Sequence, residues 1–276
     1  MNRTVSRHVY GATAVLVSAI IFLVPFAFIL VQSFKTGPDS ASLSFTWPID
    51  FVFWENVVTV FQTRDYMLIT AFINSTILTV LSVSIMVVLA AMIGWVLARR
   101  PSRWNPIFTF FILAGLIVPP AIVPTAWIMQ SLGIFNTLGG LALVEVAYGM
   151  SFCVLLFRAF VSNIPRELDE AATIDGAGPI RLFFQVGFPL LKSVIVTAIV
   201  VQSVTVFNDF ANPLYFLPGE ENATVQLTLF NFQSQFQTTW NLLFTDILLI
   251  TIPPLLMYIF FNRQIVAGMT SGAIKG

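Results

Sequence analysis

Uncharged apolar runs alternate along this chain with short polar segments. Residues 9–34 carry no charged side chain. The hydrocarbon core of a bilayer is about 30 Å thick and takes about 20 apolar residues in helical form, so this run is predicted to cross it. It is too long for a signal-peptide core and has no evident small-residue cleavage site, so it reads as an uncleaved first span, with Pro25 expected to kink it. The same pattern predicts spans over 67–98, 106–130, 140–161, 187–210 and 241–261. Trp104 to Val144 is uncharged but too long for one helix, and the glycine-containing stretch 133–140 splits it. Pro119, Pro120 and Pro124 should bend or break the third span, with the bend facing the helix bundle, where freed carbonyls find partners. The fold class is all-α: one six-span membrane domain over residues 1–276.

One stretch departs from the pattern. Residues 162–186 crowd Arg166, Glu167, Asp169, Glu170, Asp175 and Arg181 between two apolar runs. Pro165 suits a first helical position, Asn163 a cap, and Gly176 a stop. The expected helix runs from Pro165 to Asp175 and is about 16 Å long at the usual rise. A second helix should restart near Pro179 and run towards Pro189. Ala171 and Ala172 keep the first helix slim, and Glu170 and Asp175, five apart, lie on different stripes. A short exposed helix between spans suits docking into a cleft on a soluble partner.

Composition narrows the class. Only 9% of residues are charged, against about 25% in soluble domains, so the chain cannot clothe a water-facing surface. Of the 13 Lys and Arg, only Lys35 and Arg64 fall in the loops on one side of the six spans. The other eleven, among them Arg3, Arg7, Arg99, Arg100, Arg103, Arg166 and Arg263, fall on the opposite side. Basic residues stay in the cytoplasm, which is where both termini and the 162–186 loop are expected. No phosphate-binding G-x-x-x-x-G-K-[ST] loop occurs, so ATP hydrolysis by that route is excluded for this chain. A single histidine, His8, and a single cysteine, Cys153, leave no metal cluster or nucleophile constellation, and Cys153 reads as a small buried hydrophobe. No basic, aromatic-interleaved surface points to nucleic acid. Glu145, Asp209 and Asp246 are charges at membrane depth, which usually face water or a partner. Glu145 has no partner evident in the sequence. Asn208, Asp209 and Asn212 at the end of the fifth span are candidates for the translocation path or an outer gate.

The octet Glu170-Ala171-Ala172-Thr173-Ile174-Asp175-Gly176-Ala177, followed by Phe183 and by Phe188-Pro189-Leu190, resembles the "EAA" loop of ABC import permeases. The Asp175-Gly176-Ala177 triplet and the preceding Ile164-Pro165-x-Glu167-Leu168 resemble the carbohydrate-importer, maltose-type branch. So do the Asn74-Ser75 pair, the prolines of the third span, Asn208-Asp209-Phe210 with Asn212-Pro213-Leu214, and the tail from Asn262 to Gly276. Two departures stand out: Phe207 replaces a Trp, and Ser193 stands where a second proline is frequent, a change expected to straighten the next helix. The resemblance implies a permease subunit of the bacterial inner membrane that moves a sugar by alternating access. It implies a second, related permease subunit, an ABC ATPase dimer that binds the ATP and magnesium, and an extracytoplasmic solute-binding protein. It assigns no cofactor to this chain, and assigns ATPase coupling to Glu170, Ala171, Ala172, Asp175, Gly176 and Ala177. An ABC importer of another solute, such as a glycerol phosphodiester or a polyamine, is an alternative, as is an ion-coupled secondary transporter using the buried carboxylates. Few basic residues in the spans favour a neutral solute. A membrane-embedded enzyme would lack a catalytic constellation.

Overall fold

The computed structural model describes residues 3–233 and 238–271. The last residues of the tail, 272–276, lie outside them, as do residues 234–237 of the connection before the last span. The described residues are helical nearly throughout, with no strand beyond an isolated bridge between Gln233 and Thr238. In chain order the helices are α1 (Arg3–Ser33), α2 (Gly37–Ser40), α3 (Phe53–Gln62), α4 (Met67–Arg99), α5 (Asn105–Ile117), α6 (Ile122–Ser131) and α7 (Leu138–Val161). Then come α8 (Glu167–Ile174), α9 (Pro179–Leu182), a π-helical turn (Phe183–Gly187), α10 (Phe188–Leu190), α11 (Lys192–Phe207), α12 (Ala211–Phe216), a 3-10 turn (Val225–Asn231) and α13 (Trp240–Ser271). Four stretches are long and apolar enough to cross a membrane unaided: 13–33, 67–99, 138–161 and 240–262. Two bent pairs bring the number to six if each counts as one span.

The bent pairs are where sequence expectation and structure part. The third span was expected as one helix over 106–130 with its bend turned into the bundle. Instead α5 and α6 meet at 114° and the residues between them are exposed. Regular helical bonds flank the break: Val118 N–H bonds Ala114 O at 2.8 Å, and Ala121 O accepts from Thr125 N at 3.0 Å and from Thr125 Oγ1 at 2.8 Å. The fifth span was expected over 187–210. The straight helix is α11, and residues up to Leu190 lie on the far side of a 76° bend. Pro189 has no N–H to return to Gln185 O, and the ladder widens into the π turn just before it. The bend persists although Ser193 is not a proline. Pro25 leaves α1 unbroken.

The chain forms two compact units. The first comprises Met1–Ile69 and Thr228–Ile252. In it the connection after α1 is folded by polar contacts. Lys35 is fully buried, its Nζ donating to Ser44 O at 2.9 Å and to Thr46 Oγ1 at 3.2 Å. Asn56 Nδ2 donates to Ser33 O and Lys35 O, each at 2.9 Å, and Asn56 Oδ1 accepts from Asn241 Nδ2 at 2.8 Å. Asp246 is also fully buried, accepting from Thr228 Oγ1 at 2.8 Å.

The second unit comprises Thr70–Leu227 and Pro253–Gly276. Its core joins Met86, Ala90 and Ala91 of α4 to Cys153, Val154 and Phe157 of α7 and to Val194 and Ala198 of α11. Cys153 is buried with Sγ 3.6 Å from Met86 Sδ. Small residues at Ala90 and Ala91 let helices approach closely, the main attraction between helices when lipid is the solvent.

Candidate transport path and docking surface

α7, α11 and α12 enclose a cavity of about 450 Å³ in the second unit. On α7, Glu145, Tyr148 and Phe152 line it at helical spacing. Gln202 and Thr205 of α11, and Asp209 and Asn212 beyond it, complete the wall. Glu145 is only 5% exposed and accepts a hydrogen bond from Asn212 Nδ2 at 2.9 Å. The partner that sequence reading could not find for Glu145 is therefore Asn212. Asp209 Oδ1 accepts from the backbone N–H of Ala211 at 2.9 Å and more loosely from that of Asn212 at 3.4 Å, which starts α12 and sets the Asn212 side chain over α7. Tyr148 Oη lies 3.3 Å from Thr125 Oγ1.

Of the three residues expected in the path, Asp209 and Asn212 line the cavity and Asn208 does not. Asn208 Oδ1 accepts from Gln226 Nε2 at 3.4 Å. Tyr148, Gln202 and Thr205 escaped the sequence reading. Their signal is the i, i+3, i+7 recurrence of polar and aromatic positions, 145–148–152 on α7 and 202–205 on α11 continuing to 209 just past its end. The wall carries two carboxylates, two amides, hydroxyls and two aromatic rings, and no Lys or Arg. Such groups accept from and donate to hydroxyls, and no basic side chain there would pair with an anionic ligand.

The Asn74-Ser75 pair has a structural part of its own. Asn74 Nδ2 donates to Glu221 O at 3.1 Å and Ala223 O at 3.0 Å, and Ser75 Oγ accepts from Val225 N–H at 3.0 Å. It fastens the connection after α12 to the beginning of α4.

The second candidate surface is α8. It is shorter than the expected Pro165–Asp175 helix, and Asn163 does not cap it. Asn163 Nδ2 instead donates to Ala159 O at 3.2 Å, at the end of α7. Ile164 O is drawn to Arg99 Nη2 at 2.9 Å, which keeps the approach to α8 out of helical register. Glu167, Asp169 and Glu170 occupy the first turn, where carboxylates suit the free N–H groups. At the other end Ala177 N–H bonds Ala172 O at 2.9 Å and Gly176 N–H bonds Thr173 O at 3.0 Å. That is a Schellman cap, and Gly176 holds the left-handed φ of +83° that it requires. Glu170, Ala171, Asp175 and Gly176 are exposed, and Ala172 and Ala177 are half-buried. Ile174 is 85% exposed at the tip, an apolar side chain on a helix otherwise rich in charge.

The apolar helices, with a capped, exposed helix between two of them, define a multi-span membrane protein. The chain belongs to the family described as binding-protein-dependent transport system inner membrane component, which matches residues 87–270. It is 29% identical to the melibiose/raffinose/stachyose import permease protein MelC of Bacillus subtilis (strain 168), over 99% of each chain. It is 29% identical to the diacetylchitobiose uptake system permease protein NgcG of Streptomyces coelicolor, over 93% of this chain and 85% of the relative. Its fold is similar to a chain in the crystal structure of a bacterial ABC transporter that imports the acidic polysaccharide alginate, with a TM-score of 0.80 at 19% identity, covering 95% and 98% of the two chains.

Proposed function

We propose that this chain is the permease subunit of an ATP-driven importer of a neutral oligosaccharide. The observation that carries the coupling part is α8: slim, capped at its C-terminus by Gly176, and exposed along its acidic face and at Ile174. In this reading α8 fits a cleft on an ABC ATPase, and both termini lie in the cytoplasm with it. ATP binding draws the two ATPase subunits together, α8 follows, and the cavity between this chain and a related permease subunit changes the side to which it opens. An extracytoplasmic binding protein delivers the cargo, as the family's description supports. The chain performs no covalent step, and ATP and magnesium are held by the ATPase.

The cargo class rests on the cavity wall. Glu145, Gln202, Asp209 and Asn212 offer polar groups to sugar hydroxyls, and no Lys or Arg is there to pair with a uronate. Permease relatives named for melibiose, raffinose and stachyose or for diacetylchitobiose support the same class. The test is uptake into proteoliposomes holding the full transporter and its binding protein, with a neutral and an acidic oligosaccharide of equal length. ATP-dependent uptake of the neutral sugar is expected. Uptake of the acidic sugar alone would overturn the cargo class, and uptake without ATP would overturn the coupling.

A further inference from the structure

Arg99 closes the last turn of α4, and 9% of its side chain is exposed. Its Nε lies 2.8 Å from Asp169 Oδ2, on the half-buried side of α8. Its Nη2 donates to Ile164 O at 2.9 Å, just ahead of α8. The guanidinium plane lies over the Trp95 ring, 5.1 Å from its centroid. A planar fork that meets a carboxylate, a carbonyl and an aromatic face at once is a task for arginine and not for lysine. Trp95 has further neighbours beyond Arg99. Phe183 lies edge-on to it at 6.1 Å, and a Cβ at Gly187 would come within 2.9 Å of its ring. The end of α4 is thus held by α8 through Arg99 and by the elbow after α9 through Trp95.

The opposite end of α4 is also tied, by Asn74 and Ser75 to the 221–225 connection. The 25 helical steps from Asn74 to Arg99 make about 38 Å of continuous helix. We propose that α4 is the rod that carries α8 displacement across the membrane, with Arg99–Asp169 as its joint to α8 and Asn74–Ser75 as its joint to the far connection. Arg99 and Asp169 are positioning residues: they touch neither cargo nor nucleotide. The proposal rests on the coupling reading above. It adds that the force leaves α8 through a side-chain joint to α4, besides the chain links at its two ends.

The test is a double-mutant cycle in proteoliposomes holding the complete transporter, reading uptake and ATP hydrolysis in parallel. Arg99→Met and Asp169→Asn should each lower sugar moved per ATP by about fivefold or more while the ATPase still co-purifies. The double variant should be no worse than the poorer single, because both remove one contact. Asp169→Glu should recover most of the loss. An unchanged ratio, additive losses, or uptake and hydrolysis falling in step would overturn the proposal. Should the variants fail to assemble, spin labels at exposed Ser102 and Thr173 in the otherwise unaltered chain decide it. Their separation should be the same with and without bound ATP, and a change in separation would overturn the joint. A wild-type complex from which no ATPase co-purifies would defeat the coupling reading itself, a distinct outcome.

Discussion

Asn212 and Glu145 are 67 positions apart in sequence, and the amide of one donates to the carboxylate of the other at 2.9 Å. The bond joins α12 to α7 in the wall of the cavity. Removing Asn212 leaves buried Glu145 without its donor, and removing Glu145 leaves half-buried Asn212 without its acceptor, each at a cost of about 1–3 kcal/mol. Glu145→Ala and Asn212→Ala are therefore expected to slow uptake by about tenfold at equal transporter density. Asn208→Ala, outside the cavity, should leave uptake near wild type. Equal losses at all three positions would show that the cavity is not the path.

Asn74→Ala is expected to act on stability. It releases Glu221 O and Ala223 O from the start of α4. Two lost bonds at a buried site should cost about 1–3 kcal/mol. The check is thermal unfolding of the detergent-solubilised transporter, where Tm should fall for Asn74→Ala and hold for exposed Thr76→Ala.

Gly176→Val tests the cap of α8. A Cβ at Gly176 would meet nothing within 4 Å, so the variant introduces backbone strain without a clash. A β-branched residue at φ +83° costs about 1–2 kcal/mol. The Schellman cap should fray and ATPase association weaken, with Gly176→Ala intermediate. Pull-down of the ATPase with the permease pair measures it, and unchanged association would exclude a docking role for the cap.

Asp169 gives a pH dependence. Burial raises its carboxyl above the ordinary Asp value, with Glu170 adding to the rise, against the pull of Arg99 and then Arg166. A raised folded-state value means that the folded chain holds the proton more tightly than the unfolded one. The stability Asp169 contributes is present below the ordinary Asp value and is lost as pH rises through the folded value. The joint with Arg99 has the opposite need, a charged carboxylate, which exists above the folded value. Sugar moved per ATP is expected to fall on acidification into that window in the wild type and to stay flat in Asp169→Asn. Parallel curves for the two would rule out Asp169 as the titrating group.

Much of this was legible in the chain. Uncharged runs marked the helices because a bilayer tolerates little else, and the break at 133–140 was set by local glycine chemistry. The cap at Gly176 was legible for the same reason: one residue type fits a left-handed φ. What escaped notice depended on contacts distant in sequence. Asn163 was free to cap either neighbour, and the carbonyls that Arg99 takes decide against α8. The sequence shows no partner for Glu145 because Asn212 reaches it only once Asp209 has started α12. The bend of the third span is expected to face the bundle, yet residues 118–121 are exposed.

The most direct test places a photo-crosslinking residue at position 174, on the exposed tip of α8, in the assembled transporter. Illumination should join this chain to the ATPase subunit, while the same residue at exposed Trp47, in the first connection, should not. Capture of the ATPase from position 47, or its absence at 174 in a complex that still hydrolyses ATP and takes up sugar, would contradict the account.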